Sequence, residues 1–512
     1  MKFLGRPLRR RSFLGLAGFS AAVPPHGNPA GAGKEPLHCG TQKQLFIDRK
    51  FIAHARGIRL RVNPPRKAGP VLSGERPWEE QAIGGYISVL EHEGVYKMWY
   101  FSAAKGAGSN LCYATSTDGL RWDRPSLGVV EFRGSRDNNI VLAGASEGAV
   151  FLDPVAPPHQ RFKTLSAAGG GRKSPLGTTD KGTLVLLASP DGIHWNQEVE
   201  VLPFHSDTQN NLFWDQRLGK YVAYLRGWNP LRCVVRCEIP REQIFQTWPY
   251  QPSDRPRYLW SIFPWGKNWP PALSTELPTV LACDEKDPPN TDVYTPNVRP
   301  YPYADSVYLG FPSIFRHTAA PGTEKIPVEG LLEVQLAVSR DGIRFDRLDR
   351  RPYIGLGFSG ELDSHCIYCG LGMIRRGNQL YQYYAAYPSE HSKWPPAGSA
   401  IMLAVQRLDG FVSVNAPPEG GELTTPLLTF QGSRLELNID TSATGLAQVE
   451  LQAPEGLPIP GFELRNCDPI ISNDVARTVT WRGSADVSRL RGSPLRLRIR
   501  LHNARLFAFQ FA

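Results

Sequence analysis

Carboxylic acids recur along this chain shortly before short predicted β-strands. They are Glu79 in PWEEQAIGGYISVL, Asp137 in SRDNNIVL, Asp207 in HSDTQNNLFWD, Asp292 in NTDVYTPNV, and Glu361 and Asp363 in SGELDSHCIYCG. Cleavage of a glycosidic bond needs one carboxylic acid to protonate the leaving oxygen and one carboxylate to activate water or attack the sugar. Clustered acids also shift one another's pKa values. The pattern therefore predicts a set of catalytic carboxylates: Glu79, Asp137, Asp207, Glu361 and Asp363.

Aromatic and basic residues flank these acids. Sugar rings stack on aromatic side chains, and arginine or histidine can bind hydroxyl and carboxylate groups. We therefore expect a substrate-binding set formed by Asp292, Trp78, Trp214, Tyr294, Arg226, Arg299 and His365. For the basic members, salt bridges between neighbouring sheets are an equally good explanation.

A repeated turn indicates the elements that position these residues. YATSTDGLRW (113–122) returns as LLASPDGIHW (186–195) and LAVSRDGIRF (336–345). In each copy the Asp-Gly pair predicts a tight turn, since glycine accepts a positive φ and aspartate bonds its own backbone. The aromatic residue three positions later is expected to pack between neighbouring sheets. Asp118, Asp191 and Asp341 are therefore structural, not catalytic.

Five aromatic-rich strands accompany the repeat, and their aligned rings are Tyr96, Phe162, Tyr221, Tyr308 and Tyr381. Five units at this spacing predict a five-bladed β-propeller whose innermost strands surround a central channel.

The segment 249–278 is a long insertion with three tryptophans, either a lid over the channel or packing on its side. After residue 415 the chain reads as half-buried strands, such as LRLRIRL, which predict a β-sandwich.

The N-terminal residues have the pattern of a targeting signal. Arg10-Arg11 precedes Ser12-Phe13-Leu14 and a short Gly/Ala-rich apolar run, which is typical of a twin-arginine export signal. The run is too short to span a bilayer. We therefore expect a signal peptide at 1–32, a propeller at 33–415 and a sandwich at 416–512, in a protein exported to the periplasm or beyond the cell.

Charge and cysteine content limit the partners. The formal net charge is +10, but half of it comes from the first 32 residues and no Lys/Arg block remains elsewhere. Nucleic acid is therefore not an expected partner. Cys366, Cys369, Cys233 and Cys237 with His365 could imitate a zinc site, but β-patterned surroundings favour small buried side chains. No resident metal is predicted, and a Ca²⁺ in the channel is the cofactor left open. The sequence pattern does not indicate an oligomeric state.

The stretch NPPRKAGPVLSGERPWE, the strand GVYKMWYFSA and the turn STDGLRW resemble the five-bladed β-propeller glycosidases of glycoside hydrolase families 32, 43 and 130. The C-terminal strands resemble the sandwich of family 32. Leu45-Phe46-Ile47-Asp48 is similar to the opening of exported bacterial propeller proteins. The resemblance implies a hydrolase of poly- or oligosaccharides, but the Asn-Asp-Pro-Asn-Gly opening of family 32 and its Arg-Asp-Pro and Glu-Cys motifs are absent.

Two other functions remain open. A non-catalytic carbohydrate-binding propeller would keep the aromatic residues and tie its acids into salt bridges, whereas a hydrolase would have two carboxylates facing one pocket. A glycoside phosphorylase would need a basic phosphate pocket, for which Arg226, Arg299, Arg316 and His317 are the candidates.

Overall fold

The computed structural model describes residues 35–145, 149–168, 173–203, 206–228, 231–250, 277–318, 329–393, 396 and 398–512. Within these ranges the secondary structure consists of β-strands and short 3₁₀ turns, so the prediction of an all-β protein is confirmed. No helix there is long and apolar enough to cross a membrane. The predicted export signal lies outside the described residues.

The described chain begins with five strands that pair with strands much later in the sequence. They are β1 (Leu37–Gly40), β2 (Gln44–Leu45), β3 (His54–Arg56), β4 (Arg59–Val62) and β5 (Arg66–Ser73). The first four join strands that lie after residue 411, and β5 pairs antiparallel with the strand Ala400–Arg407. The pairing thus groups 37–62 with the C-terminal strands, although the sequence placed them in the propeller segment.

Three four-stranded antiparallel sheets follow, and in each of them the strands are hydrogen-bonded in chain order. Sheet 1 contains β6 (Ala82–His92), β7 (Val95–Ala104), β8 (Gly108–Ser116) and β9 (Ile140–Ala143). Sheet 2 contains β10 (Phe151–Leu152), β11 (Phe162–Ala167), β12 (Leu184–Ser189) and β13 (Gln197–Leu202). Sheet 3 contains β14 (Asn211–Asp215), β15 (Lys220–Trp228), β16 (Arg232–Ile239) and β17 (Thr279–Leu281).

The next ten strands form a larger assembly. They are β18 (Thr291–Thr295), β19 (Val298–Pro300), β20 (Tyr308–Gly310), β21 (Ser313–His317), β22 (Gly330–Val334), β23 (Ala337–Ser339), β24 (Cys366–Cys369), β25 (Ile374–Arg376), β26 (Gln379–Tyr387) and β27 (Ala400–Arg407). The order β18-β21-β22-β24-β26-β27-β5, with β25 on β26, makes one eight-stranded sheet. The strand pairing between its two parts is the parallel pair Leu332 and Cys366, and Ser313 Oγ donates to Ile367 O across the same junction.

The C-terminal strands form two main sheets over one apolar cluster, and one short strand, Leu428–Phe430, instead pairs parallel with β1. They are β28 (Val412–Ala416), β29 (Gly421–Thr424), β30 (Leu428–Phe430), β31 (Leu435–Asp440), β32 (Leu446–Gln452), β33 (Asn473–Thr478), β34 (Arg496–His502) and β35 (Ala504–Phe511). One sheet has the order β33-β31-β35-β28-β4 and the other β3-β29-β34-β32. In β34 the residues Leu497, Ile499 and Leu501 are buried in the cluster that the two sheets share. The intervening arginines are half-exposed, as the alternation predicted.

The repeated Ser-x-Asp-Gly segment forms the same turn three times. In the first copy Asp118 Oδ1 accepts the backbone N–H groups of Leu120 and Arg121, and Ser116 Oγ accepts that of Gly119. The copies at Ser189 and Ser339 repeat these bonds. The structural interpretation of these aspartates is therefore confirmed.

Each turn also accepts a hydrogen bond from an aromatic side chain of a neighbouring sheet. The donors to the glycine carbonyls are Tyr383 to Gly119 at 2.7 Å, Trp99 to Gly192 at 2.7 Å and Tyr224 to Gly342 at 2.6 Å. The aromatic residues that follow the turns pack on the same donors, as Trp122 does on Tyr383 and Phe345 on Tyr224. These contacts join sheet 1 to sheet 2, sheet 3 to the β18–β23 strands, and the β26 strand back to sheet 1.

Replacing Gly192 by alanine is expected to lower the free energy of unfolding by about 3 kcal/mol. The added Cβ would lie 2.5 Å from Trp99 Cζ2 at a φ of +79°. Gly144→Ala is the matched control, because φ is +74° and nothing among the described residues lies within 4 Å of its Cβ. The control should lose only the ~1–2 kcal/mol of left-handed backbone. Equal losses in chemical denaturation would contradict the packing of this turn on Trp99.

Acid should weaken the same turns. Burial opposes the charge of Asp341, but hydrogen bonds from the Arg344 and Ile343 backbone outweigh it and lower its pKa to about 2. An unfolded aspartate titrates near ~3.9, so the unfolded chain binds more protons and stability falls as pH drops from about 5 to 2. Asp341→Asn should therefore be less stable than the wild type at pH 7, with the difference shrinking toward pH 2. A difference independent of pH, or one shared by the exposed-acid control Asp137→Asn, would contradict this assignment.

Candidate functional site: a tyrosine pocket at the centre of the sheets

Side-chain amides hold the innermost strands together at the centre of the assembly. Gln209 Nε2 donates to Ile87 O, Asn297 Nδ2 donates to Cys369 O, and Asn211 Oδ1 accepts the N–H of Val298, each at 2.6 Å. All three amides are buried. They join β6 to the segment before β14, the first residues of β14 and β19 to each other, and the segment before β19 to the last residue of β24. One cavity lies beside the beginnings of β6 and β24, and another lies beside the end of β6 and along β19.

The cavity near the strand beginnings is named here the tyrosine pocket. Its volume is about 190 Å³. Tyr368 is central, with ring centroids 6.2 Å from Tyr86, 5.6 Å from Tyr294 and 5.7 Å from Tyr387, all in edge-on arrangements. Burial raises the pKa of Tyr86, Tyr368 and Tyr387, so their hydroxyls stay protonated at neutral pH. The pocket thus presents aromatic edges and neutral hydroxyls, a surface suited to a polyhydroxylated ligand.

An ion pair between buried Arg226 and partly exposed Asp207 contacts Tyr294, which lines this pocket. Arg226 Nη1 donates to Asp207 Oδ1 at 2.6 Å, and Arg226 Nε and Nη2 donate to the carbonyl of Tyr294 at 3.1 and 2.8 Å. The guanidinium carbon lies 4.1 Å from the Tyr294 ring centroid. The side chain of Asp207 is 25% exposed, whereas that of Arg226 is 1% exposed. Burial opposes the charge of Arg226, but Asp207 and Tyr294 outweigh it and raise its pKa.

The segment after β26 adds two further functional groups. Glu390 and His391 line the tyrosine pocket, and His391 Nε2 lies 2.8 Å from Tyr294 Oη in a hydrogen bond whose direction depends on the tautomer. Within the described ranges Glu390 makes no ion pair. Sequence reasoning missed both residues because it looked for acids before strands. The signal was present in YYAAYPSEH, where an acid and a histidine follow the aromatic strand directly.

Glu79 and Trp78 lie inside sheet 1 rather than at the pocket. Glu79 is 2% exposed, accepts a hydrogen bond from Tyr100 Oη at 2.7 Å, and lies 3.1 Å from Arg124 Nε. Burial raises its pKa, although Arg124 and Tyr100 oppose the shift. Trp78 Nε1 donates to Asn139 Oδ1 at 2.7 Å. The structure thus places both residues in a buried polar network that holds the sheet together.

Asp137 and Asp292 are also placed away from the pocket surface. Asp137 is exposed and precedes β9, which is the last strand of sheet 1, so the expectation that it precedes an innermost strand is wrong. Asp292 is fully buried, with Arg232 Nη1 at 2.9 Å and His317 Nε2 at 3.2 Å from Oδ2. Burial opposes its charge, but Arg232 and His317 outweigh it and lower its pKa. Asp292 thus has protein partners where a substrate was expected.

The acids before β24 have local partners as well. Asp363 is buried and accepts hydrogen bonds from Lys67 Nζ at 2.7 Å and Tyr384 Oη at 2.9 Å. Glu361 is exposed, and its carboxylate accepts the N–H of Phe358 in a turn. His365 Nδ1 lies 2.9 Å from Ser364 Oγ. None of these three side chains lines the tyrosine pocket.

The remaining predicted ligand residues are scattered. Trp214 is half-buried on sheet 3, where it packs on Tyr221 and donates to Gln216. Arg299 lines the second cavity rather than the tyrosine pocket. Arg316 is exposed, and His317 is paired with Asp292. Of the predicted set, Tyr294 lines the pocket, and Arg226 and Asp207 are linked to it through the contact of Arg226 with Tyr294. The four basic residues considered for phosphate do not form one site.

Two further predictions concern the cysteines that could imitate a zinc site and the insertion at 249–278. The eight cysteines all lie in the described ranges and are unbonded, seven of them buried. In those ranges no group of three or more His, Cys, Asp or Glu side chains is arranged to hold a metal ion. Most of the tryptophan-rich insertion, including Trp260, Trp265 and Trp269, lies outside the described residues.

Comparison with known proteins gives only distant structural likenesses. No protein-family model matches the chain, and no curated protein sequence matches it significantly. The catalytic domain of a family 62 α-L-arabinofuranosidase from Coprinopsis cinerea is 11% identical at a TM-score of 0.40, over 67% of this chain and 97% of its own. A thermostable family 43 glycoside hydrolase is 13% identical at a TM-score of 0.38, over 65% and 94%.

A third similar structure is an N-acetylgalactosamine deacetylase from F. plautii in complex with blood group B trisaccharide. It is 12% identical at a TM-score of 0.44, over 69% of this chain and 96% of its own. At these identities and TM-scores the likenesses do not assign an activity to this chain, so its function has to be argued from its own residues.

The ion pair at the pocket wall should show strong energetic coupling. Arg226→Met removes the guanidinium that donates to Asp207 and to the Tyr294 carbonyl and should cost about 3 kcal/mol of stability. Asp207→Asn should cost less, because Asp207 is partly solvated. Combining the two variants in a double-mutant cycle by chemical denaturation should give a coupling energy of about 1–3 kcal/mol. Additive losses would contradict the pairing.

Proposed function

We propose that this protein is a carbohydrate-active enzyme, a glycoside hydrolase that acts on a poly- or oligosaccharide in the tyrosine pocket. The proposal includes the fold predicted from the sequence: sheets 1 to 3, the β18–β23 strands and the β24–β27 strands as five propeller blades, and the C-terminal sheets as a sandwich. It also includes export by the twin-arginine route, which the 1–32 segment supports.

The observation that carries the proposal is the composition of the pocket. Four tyrosines from β6, β18, β24 and β26 line the pocket together with Glu390, and the ion pair of Arg226 and Asp207 contacts one of them, Tyr294, through Arg226. Sugars need apolar ring faces together with hydroxyl, carboxylate and guanidinium partners, and such groups converge here. Glycosidic hydrolysis further needs two carboxylates at one site. Glu390 lines the pocket, and Asp207 is bonded to the arginine that holds the Tyr294 carbonyl, so we assign these two acids as the pair.

The environments of these two acids suggest different roles. The guanidinium of Arg226 favours the ionised form of Asp207, which suits a carboxylate that activates water or attacks the anomeric carbon. Glu390 has no guanidinium partner within the described ranges. It is therefore assigned as the acid that transfers its proton to the leaving glycosidic oxygen. His391, hydrogen-bonded to Tyr294, is assigned to orient the tyrosine edge against the substrate.

A non-catalytic carbohydrate-binding protein is the second candidate, and one observation favours it. Four of the predicted acids are held in ion pairs: Glu79, Asp207, Asp292 and Asp363. Acids tied up in this way serve structure or binding rather than proton transfer. The two candidates therefore differ in whether Glu390 and Asp207 work together on a substrate.

Reducing-sugar release from a panel of polysaccharides and aryl glycosides tests the proposal. The mature protein should release sugar from at least one substrate. Asp207→Asn and Glu390→Gln should each lower the rate by about 10²–10⁴-fold, because each removes one of the two carboxylates. Glu455→Gln is the matched control, since Glu455 is exposed in a C-terminal turn. Circular dichroism confirms that each variant is folded.

One result would contradict the residue assignment and another would contradict hydrolysis. Release that persists in both variants would remove Asp207 and Glu390 from the chemistry. No release from any substrate, with binding of one polysaccharide that Tyr368→Ala abolishes, would establish the carbohydrate-binding alternative.

A further inference from the structure

The second cavity lies at the opposite end of the innermost strands from the tyrosine pocket. Its volume is about 340 Å³. Residues from the ends of β6, β19 and β24 line it, among them Glu91, Arg299, Tyr303, Met373 and Arg375. Asn297, one of the three strand-joining amides, also lines this cavity. Within the described ranges the two cavities share no lining residue.

Arg299 is the unusual residue of this cavity. Its Nε is buried, and among the described residues it has no hydrogen-bond partner. No carboxylate in those ranges forms a salt bridge with it. Burial without a counter-charge lowers the pKa of Arg299 to about 10. Arg299 as a whole is half-buried. A buried guanidinium N–H that has no acceptor or counter-charge is unfavourable, so native proteins supply such a group with an anion or a hydrogen-bond acceptor.

Other donors face the same space. The guanidinium carbon of Arg375 lies 5.4 Å from the Tyr303 ring centroid, and both side chains line the cavity. Arg375 is exposed, its Nε donates to the carbonyl of Gly377, and its terminal nitrogens have no protein acceptor in the described ranges. The acid that lines the cavity, Glu91, is exposed. Two arginines and one tyrosine against a single exposed carboxylate leave the cavity positively charged.

We infer that this second cavity is a binding site for a small anion, a carboxylate or an inorganic oxyanion, held by the guanidinium of Arg299 with Arg375 and Tyr303 as further donors. The planar fork of arginine matches two oxygens of a carboxylate, phosphate or sulfate. A volume of 340 Å³ is roughly ten times the ~30 Å³ share of one liquid water, so it has room for such a group. The anion stabilises the folded chain, because it binds where folding buries an uncompensated charge.

Thermal unfolding of the whole protein in different anions tests this inference. Acetate, glucuronate, phosphate and sulfate are compared with chloride at equal ionic strength, which separates carboxylates from oxyanions. The melting temperature should rise by about 1–2 °C for each tenfold increase in the bound anion above its Kd. Arg299→Met should lose this rise and should melt at or above the wild-type temperature in chloride. Arg344→Met, at an arginine whose side chain is 90% exposed, is the matched control and should keep the rise.

Two outcomes would overturn the inference. One is a wild-type melting temperature that no anion raises above its value in chloride. The other is an anion response in Arg299→Met as large as that of the wild type. If Arg299→Met does not fold, Arg299→Lys is measured instead, since it keeps the charge but not the fork. It should bind the anion at least tenfold more weakly, and an unchanged affinity would count against the site.

Discussion

The hydrogen bond from an aromatic side chain of one sheet to the glycine carbonyl of a neighbouring turn is the constraint on which the rest of this structure depends. It occurs three times with nearly the same length, from Trp99, Tyr224 and Tyr383. The turn needs Asp to bond its own backbone and Gly to accept both a positive φ and the ring packed against it. Each sheet is thereby fixed in distance and angle to a neighbour, which is why one short motif repeats along a long chain.

Fixing the sheets in this way brings their innermost strands together, and the centre must then satisfy many backbone groups in a small space. Three buried amides, Gln209, Asn211 and Asn297, do so by bonding backbone atoms of adjacent strands. These amide hydrogen bonds join the strands to one another, and two cavities lie near the strands. One cavity is lined mainly by tyrosine and is supported by the ion pair of Asp207 and Arg226. The other carries the unpaired Arg299. The two cavities thus differ in charge and in the ligands they suit.

Local patterns predicted the strands and turns well, because a hairpin turn and an alternating strand depend on residues close in sequence. The site was harder to predict, because partners distant in the chain decide whether an acid is free. Lys67 neutralises Asp363 from 296 positions away, and Arg232 neutralises Asp292 from 60 positions away. Asp137 was misplaced because a short apolar run does not reveal whether its strand is the first or the last of a sheet. Glu390 was missed because it follows a strand, whereas the sequence prediction considered acids that precede strands.

The central claim is that carbohydrate binds in the tyrosine pocket, between strands that are far apart in sequence. Hydrogen exchange with mass spectrometry, in the presence and absence of an oligosaccharide that the protein binds, tests it most directly. If carbohydrate binds in this pocket, we expect slower exchange in three separated segments at once, around residues 82–87, 291–295 and 366–391, with little change in 421–502. Protection confined to 421–502, the C-terminal sheets, would contradict it and would place the carbohydrate on those sheets instead.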